Sequence, residues 1–168
     1  MNMNDSLRIR RVDYRDPTVA AQLVDLLDDY ARSPGGGGQP LSDEVKQALP
    51  ERLAEFSGAF SFIAYLNDRP VGLINCLTGF STFKAMPLMN VHDVTVRSEF
   101  RGNGIARELF RAAEQEAVAR GCCKVTLEVL ENNTIARQAY QRLGYAAYEL
   151  DPQFGHALFM EKALPAKT

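Results

Sequence analysis

Apolar and polar residues alternate along several short stretches of this chain, and along others apolar residues recur every three or four positions. Alternation is typical of half-buried strands, whereas the longer period is typical of amphipathic helices. Strands are therefore predicted at 7–12, 59–66, 70–77, 91–96, 124–129, 145–150 and 157–162. Helices are predicted to begin near Pro17, Ser42, Ile105 and Asn133. This order of elements predicts a mixed α/β domain.

The connections between these elements predict how the strands pair. The strands at 59–66 and 70–77 flank a short turn, Asn67-Asp68-Arg69, which favours an antiparallel hairpin. A helix separates the strands at 91–96 and 124–129, which favours a parallel pair joined by a right-handed crossover. Four consecutive glycines at 35–38 predict a mobile loop, and closure over a substrate is one role for such a loop.

The stretch 91–106 predicts a strand, a turn containing two glycines, and a helix start. Gly102 and Gly104 permit positive φ angles, and a helix that begins at Ile105 directs unpaired N–H groups outward. Together with Arg101 and Arg107, those donors favour binding of a phosphate or pyrophosphate. An ordinary strand-to-helix turn remains the alternative for this stretch alone.

Length, charge and cysteine content exclude several classes of protein. The 168 residues and 18.7 kDa predict one domain with its core at about 6–164. A net charge of -2 and the lack of a basic patch argue against a nucleic acid partner. Three cysteines without ligand-like spacing predict no metal site and reduced thiols. No leader or membrane-spanning stretch is evident, so we expect a cytoplasmic protein without a membrane partner.

Two nucleotide-binding fingerprints fail at the glycine turn. The dinucleotide pattern requires a third glycine where Arg107 stands, and the Walker pattern requires lysine with serine or threonine where Ile105 and Ala106 stand. The motif Arg101-x-x-Gly104-x-Ala106 instead resembles the signature of the GNAT superfamily of N-acetyltransferases. A second family feature follows at the expected distance: Val129-x-x-x-Asn133-x-x-Ala136-x-x-x-Tyr140-x-x-x-Gly144-Tyr145.

The resemblance covers nearly the whole chain and implies a GNAT fold with acetyl-CoA as co-substrate and no metal. In that fold a central, mixed and mostly antiparallel sheet of six to seven strands carries about four helices, with a splay between the fourth and fifth strands. Loop amides bind the pyrophosphate, and the pantetheine arm pairs with the fourth strand. The implied cofactor-binding positions are Val94, Thr95, Val96, Arg101, Gly102, Asn103, Gly104, Ile105, Ala106, Arg107, Asn133 and Tyr140.

The implied reaction is direct attack of a neutral amine on the thioester in a ternary complex. Tyr140 matches the family position of the acid that protonates the leaving thiolate, and the Val94 N–H is a candidate oxyanion donor. His92 or Asp93 is a candidate base or cation ligand. In a regular strand only one of these two neighbours faces the substrate, unless a β-bulge intervenes. Tyr140 as a packing residue, and purely structural roles for His92 and Asp93, remain alternatives.

The acceptor is the part of the function that the sequence leaves open. The segment Phe80-Ser81-Thr82-Phe83, the Asp93 strand and the stretch 158–164 most resemble the diamine (spermidine/spermine) acetyltransferase branch, whose members carry a glutamate where His92 stands. A polyamine, an amino acid and an amine toxin are all candidate substrates. Protein N-terminal or lysine acetylation and a non-catalytic acyl-CoA sensor are the alternatives, and the family makes a homodimer possible. Candidate substrate residues are Asp28, Phe80, Phe83, His92 and Asp93.

Overall fold

The computed structural model of the chain describes residues 6–149, 151, 153 and 155–165. They belong to two compact units, Met1–Leu127 and Glu128–Thr168, and each unit is described by itself. Within this described part of the chain, no helix combines the length and the apolar character that a membrane span requires.

The described residues of the first unit form one five-stranded sheet and three α-helices. In chain order these are β1 (Leu7–Arg11), α1 (Pro17–Arg32), α2 (Asp43–Glu55), β2 (Ala59–Leu66), β3 (Arg69–Ser81), β4 (Met86–Val96), α3 (Ile105–Ala119) and β5 (Val125–Leu127). The strand order is β1-β2-β3-β4-β5, with β4 and β5 parallel and every other pair antiparallel. The predicted hairpin and the predicted parallel pair are both confirmed.

The helices of the first unit begin where side chains can satisfy their free amides. Asp16 accepts hydrogen bonds from the amides of Thr18 and Val19 at 2.8 and 3.2 Å, and Pro17 occupies the first helical position of α1. Ser42 accepts from the amide of Val45 at 3.3 Å at the start of α2. Both starts agree with the sequence prediction, because the chemistry that sets a cap is local.

Helices cover both faces of the sheet. Leu23 and Leu26 of α1 pack with Ile63 of β2 and Leu73 of β3 in one buried cluster. On the opposite face α3 approaches so closely that a Cβ at Gly72 would lie 3.2 Å from Leu109. Because β2 and β3 are buried on both sides, they are almost continuously apolar. A polar residue inside either strand therefore needs a hydrogen-bonding partner or a function.

The four glycines after α1 form a hydrogen-bonded turn, and the mobility predicted for them stays a prediction. Residues Pro34–Gly36 form a short 3₁₀ turn, and the amides of Gly36 and Gly38 both donate to the Ser33 carbonyl at 3.0 Å. A Cβ at Gly36 would stand 2.1 Å from the Tyr30 carbonyl oxygen. The turn thus needs glycine at this position for close backbone packing against α1.

The close approach at Gly36 leads to a stability prediction. Gly36→Ala is expected to lower the free energy of unfolding by about 3 kcal/mol, because the backbone of α1 cannot move aside cheaply. Gly38→Ala in the same turn is the control: its φ of 76° is strained for alanine, but an added Cβ meets no atom within 4 Å. The control should cost only about 1 kcal/mol. Urea unfolding measures both, and equal losses would contradict the packing argument.

The second unit contains α4 (Thr134–Arg142) and irregular chain. The strands predicted at 145–150 and 157–162 are not formed in its described residues, and Leu150 lies outside them. Among the described residues, these two segments share the bond from the Ala157 amide to the Tyr148 carbonyl at 3.1 Å, whereas a strand ladder needs repeated pairs of bonds. Leu158 and Phe159 are 86% and 75% exposed, so the alternation buries no face. In the described residues the sheet accordingly has five strands, whereas six to seven were predicted.

Candidate active site

A β-bulge interrupts β4 at His92. Across the β3–β4 ladder Asn75 opposes Asp93 and Cys76 opposes Val91, so His92 is the extra residue on β4. Val91 and Asp93 consequently face opposite sides of the sheet although they are two positions apart. His92 is exposed, whereas Asp93 is half-buried on the face that packs against α1. A β-bulge, which the sequence could neither show nor exclude between these two neighbours, is therefore present.

The pairing between β4 and β5 stops at the same place. The parallel ladder joins Met89–Val91 to Val125–Leu127, and in the described chain it extends no further. The backbone from His92 to Val96 on that side is therefore released from β5. An edge of this kind pairs with ligands that carry amide groups, as a strand would. In the described chain, β4 thus has no β5 partner beyond Val91, and the splay between the fourth and fifth strands stays a prediction.

The glycine turn after β4 has the geometry of an anion cradle. Gly102 and Gly104 adopt φ angles of 80° and 77°. The Glu108 amide bonds to the Gly104 carbonyl at 3.2 Å, so the amides of residues 105–107 precede the first intrahelical bond of α3. In the part of the chain that the structure describes, no side chain caps this helix start. A Cβ at Gly102 would meet nothing within 4 Å, which leaves room for a ligand. The residues present fit a pyrophosphate.

The two arginines of this turn have different surroundings. Arg101 donates from Nε to the Val96 carbonyl at 2.9 Å, which fixes the turn to the end of β4. The Arg107 side chain is 71% exposed, with its Nε 3.3 Å from a carboxylate oxygen of Glu108. Arg107 is thus accessible to a phosphate above the helix start, while Arg101 also has a structural role that the sequence did not indicate.

A row of hydrogen-bonded polar side chains crosses the sheet and ends at Asp93. The Tyr14 hydroxyl lies 2.8 Å from Ser61 Oγ, and Ser61 Oγ donates to Asn75 Oδ1 at 2.6 Å. Asn75 Nδ2 donates to Asp93 Oδ2 at 3.0 Å. Ser61 and Asn75 are only 1% and 6% exposed. Sequence analysis missed this row, although a serine and an asparagine inside apolar strands were a usable signal.

Two neighbours of Asp93 stay uncharged at neutral pH. Burial raises the pKa of Tyr30, and the negative charge of Asp93 adds to that rise. Burial likewise raises the pKa of the Cys76 thiol to about 12, with Arg120 opposing and Asp93 reinforcing the shift. Asp93 is therefore the group on this part of the sheet that can attract a cation.

The remaining substrate candidates lie in other surroundings. The Asp28 carboxylate accepts from the Leu41 amide at 2.8 Å and forms ion pairs with Arg32 and Lys46. Desolvation would raise its pKa, but the hydrogen bonds from Arg32 and Leu41 outweigh it and lower the pKa. Asp28 thereby ties α1 to the chain that leads into α2.

Phe80 and Phe83 are placed at the tip of the β3–β4 hairpin. They are 62% and 84% exposed. Five strand positions, roughly 17 Å, separate Phe80 from Asn75, which stands opposite Asp93. The structure does not bring these two aromatic rings together with Asp93.

In the second unit, Asn133 and Tyr140 occupy the two ends of α4. Asn133 Oδ1 accepts from the Ala136 amide at 3.2 Å and so caps the helix, as its position before Thr134 predicted. The ring of half-buried Tyr140 meets that of Tyr145 edge to face, at 6.4 Å between centroids and 66° between planes. The Tyr145 amide also bonds to the Tyr140 carbonyl at 3.0 Å. These contacts hold Tyr140 against the end of its own helix.

Comparison with known families identifies the chain's relatives. The sequence model of the acetyltransferase (GNAT) family matches residues 21–145, a span that includes the bulge, the glycine turn and α4. The chain belongs to the GNAT family. Within its described residues, no group of three or more His, Cys, Asp or Glu side chains is arranged to hold a metal ion.

One curated relative of this GNAT chain is the mycothiol acetyltransferase of Saccharopolyspora erythraea, which is 40% identical over 81 residues. The match covers 47% of this chain and 27% of the relative, so the chain spans about a quarter of that protein's length. The similarity is therefore to one part of a larger acetyltransferase.

Solved GNAT structures share the fold along nearly their whole length. The aminoglycoside N-acetyltransferase AAC(6')-Iy in complex with CoA gives a TM-score of 0.75 at 19% identity, covering 96% of this chain and 98% of that one. The aminoglycoside acetyltransferase meta-AAC0020 from an uncultured soil metagenomic sample, in complex with sisomicin, gives 0.72 at 20% identity, covering 93% and 97%. The ribosomal-protein-alanine N-acetyltransferase of Brucella melitensis biovar Abortus 2308 gives 0.71 at 20%, covering 87% and 96%. The expected α/β GNAT fold is confirmed.

Proposed function

We propose that this GNAT chain is an acetyl-CoA-dependent N-acetyltransferase that acetylates a primary amine of a small molecule. The proposal rests on one observation: the unpaired edge of β4 and the uncapped start of α3 follow each other directly along the described chain. The strand backbone that the bulge and the end of the β5 ladder release leads directly into the uncapped helix start after Gly104. Together they offer pairing for amides at one end and a positive pole for a pyrophosphate at the other.

On the donor side, the main chain of Val94, Thr95 and Val96 would pair with the pantetheine amides. The turn from Arg101 to Ala106, with the Arg107 side chain above it, would hold the pyrophosphate. When bound, acetyl-CoA supplies an acetyl group activated as a thioester. The CoA complex of AAC(6')-Iy, which shares the fold, supports this assignment of the co-substrate.

On the acceptor side, Asp93 attracts the substrate ammonium and takes its proton. An alkylammonium with a pKa of about 10.4 is protonated at neutral pH and must lose a proton before it can attack. Asp93 faces α1 with a carboxylate oxygen held by Asn75, whereas His92 projects from the bulge and is exposed. The Val94 N–H stabilises the developing oxyanion. His92, which can reach the amine through water, is the alternative acceptor of the ammonium proton.

The Asp93 carboxylate is compatible with an acceptor that presents one primary ammonium. Polyamines, amino acids and aminoglycosides all present a primary ammonium that Asp93 can bind. Aminoglycoside acetyltransferases among the solved structures and a mycothiol acetyltransferase among the relatives make small amines the favoured class. Diamines belong to this class of candidate substrates.

Incubation with acetyl-CoA and a panel of amines tests the proposal. The panel contains polyamines, lysine-like amino acids, aminoglycosides and, as a separate arm, peptides with a free N-terminal alanine. Release of CoA and mass spectrometry of the acetylated amine are the measurements. We expect turnover of at least one small amine. Turnover of the peptides alone would point to protein acetylation, and CoA binding without turnover of any amine would point to a sensor.

Tyr140→Phe is expected to lower kcat about tenfold to a hundredfold while leaving the Kd for CoA nearly unchanged. The variant removes the phenolic proton that would go to the leaving thiolate, but it keeps the ring that packs on Tyr145. Tyr145→Phe is the control, because it preserves the same ring contact and loses only its own hydroxyl. Unchanged turnover in Tyr140→Phe would exclude the acid role.

A further inference from the structure

The row of side chains from Tyr14 to Asp93 has no role in the family resemblance and none in forming the cradle. We propose that Tyr14, Ser61 and Asn75 are positioning residues that hold the Asp93 carboxylate in place for the amine. The inference rests on the proposed function, because it assigns the row to the acceptor site of that reaction. It is argued from the direction of the hydrogen bonds, from their burial and from the neighbours of Asp93.

The hydrogen bonds in this row have one direction. Ser61 has a single hydroxyl proton and donates it to Asn75 Oδ1, so it can only accept from Tyr14. The carbonyl end of the Asn75 amide is thereby fixed toward Ser61, and its NH₂ end donates to Asp93. Every donor points toward the carboxylate. Bonds aligned in this way polarise one another and strengthen the last bond in the row.

The row orients Asp93 and does not conduct protons to it. Two hydroxyl groups can pass a proton along, but a carboxamide cannot do so without losing its amide resonance. Asn75 therefore interrupts any proton path between Tyr14 and Asp93. Burial raises the pKa of Tyr14 despite its bond to Ser61, so the phenol keeps its proton and remains a donor. Tyr14 thus acts through Ser61 and Asn75 and has no contact with the substrate.

The cost of burial argues that the row has a purpose beyond packing. Ser61 and Asn75 stand in central strands with helices on both faces, where apolar residues would fold at lower cost. The group that faces Asp93 from α1 is Tyr30, which is uncharged at neutral pH, whereas Cys76 of β3 lies opposite Val91 and faces the other side of the sheet. The Asn75 amide is therefore the directed donor at this carboxylate.

A double-mutant cycle between Tyr14 and Asp93 tests the inference. Tyr14→Phe, Asp93→Asn and the double variant are compared for kcat/KM with the best amine of the panel. In the wild-type background Tyr14→Phe is expected to lower kcat/KM about fivefold, acting on kcat more than on KM. In the Asp93→Asn background the same change should have no effect, because the carboxylate through which Tyr14 acts is gone.

Tyr65→Phe is the matched control for this cycle. The Tyr65 hydroxyl donates to Gln22 Oε1 at 2.5 Å from the same face of β2 as Ser61, so it is a tyrosine hydrogen bond outside the row. It should reduce stability in urea like Tyr14→Phe, yet show no coupling to Asp93. Equal effects of Tyr14→Phe in both backgrounds would overturn the positioning role while the acetyltransferase proposal stands. Absence of turnover by the wild-type protein with every amine would overturn both.

Discussion

Asp93→Asn is expected to lower kcat/KM for the acetylated amine by about a hundredfold or more, the usual scale for losing a general base. The substitution keeps the size of the side chain, and the new amide oxygen can still accept from Asn75 Nδ2. It removes the negative charge that attracts an ammonium and the site that takes its proton. Steady-state kinetics with acetyl-CoA and the amine measure the loss, and calorimetry with CoA should show unchanged binding.

Two further variants separate the base assignment from a general effect of charge. Asp43→Asn removes an exposed carboxylate from the first turn of α2. It should leave kcat/KM unchanged to within about twofold, because substitutions of exposed residues outside a site usually have small effects. His92→Gln removes the imidazole at the bulge. If His92→Gln abolished turnover while Asp93→Asn did not, the base would be His92 and the roles proposed for the two neighbours would be reversed.

Features set by local chemistry were predictable from the sequence. Asp16 with Pro17, Ser42 and Asn133 cap helices where they were expected to, because a cap depends on residues two or three positions apart. The positive φ angles at Gly102 and Gly104 follow from the same kind of local requirement. The parallel β4–β5 pair was predictable because an intervening helix leaves few other connections.

Features that depend on register were harder to predict. A single sequence does not show the bulge at His92, because the bulge is defined only by which residues of β3 stand opposite β4. The row through Ser61 and Asn75 depends on two registers at once, since Ser61 must oppose Asn75 and Asn75 must oppose Asp93. A single sequence shows the polar residues inside these strands but not their alignment.

The missing strand pair has a different cause. Alternation at 145–150 and 157–162 satisfies the side-chain pattern of a strand, but a strand exists only where a neighbour supplies its hydrogen bonds. In the described residues of the second unit that ladder is limited to the bond between Ala157 and Tyr148.

The structural role of Arg101 also depends on a contact that the sequence does not show. The motif indicated a cation near a phosphate, and nothing local indicated its bond to the Val96 carbonyl.

The turn at Gly104 offers the sharpest test of the donor site. Gly104→Val is expected to raise the Kd for CoA about thirtyfold, which corresponds to about 2 kcal/mol. A β-branched residue does not tolerate the φ of 77° at this position, and its side chain would also crowd the Arg107 guanidinium, 3.6 Å from the added Cβ. The turn would relax toward negative φ, and the amides at 105–107 would no longer point at one pyrophosphate.

Gly121→Val at the other end of α3 is the matched control for this strain. Gly121 has a φ of 72°, and a Cβ there meets no atom within 4 Å. Both variants should lose similar stability in urea, since both place valine in a left-handed conformation. Calorimetry with CoA, which binds without reacting, should then show weaker binding for Gly104→Val alone. Equal Kd values for the two variants would mean that the pyrophosphate is held away from the start of α3, because the Gly104 variant alters this turn and its neighbour Arg107 and the Gly121 variant does not.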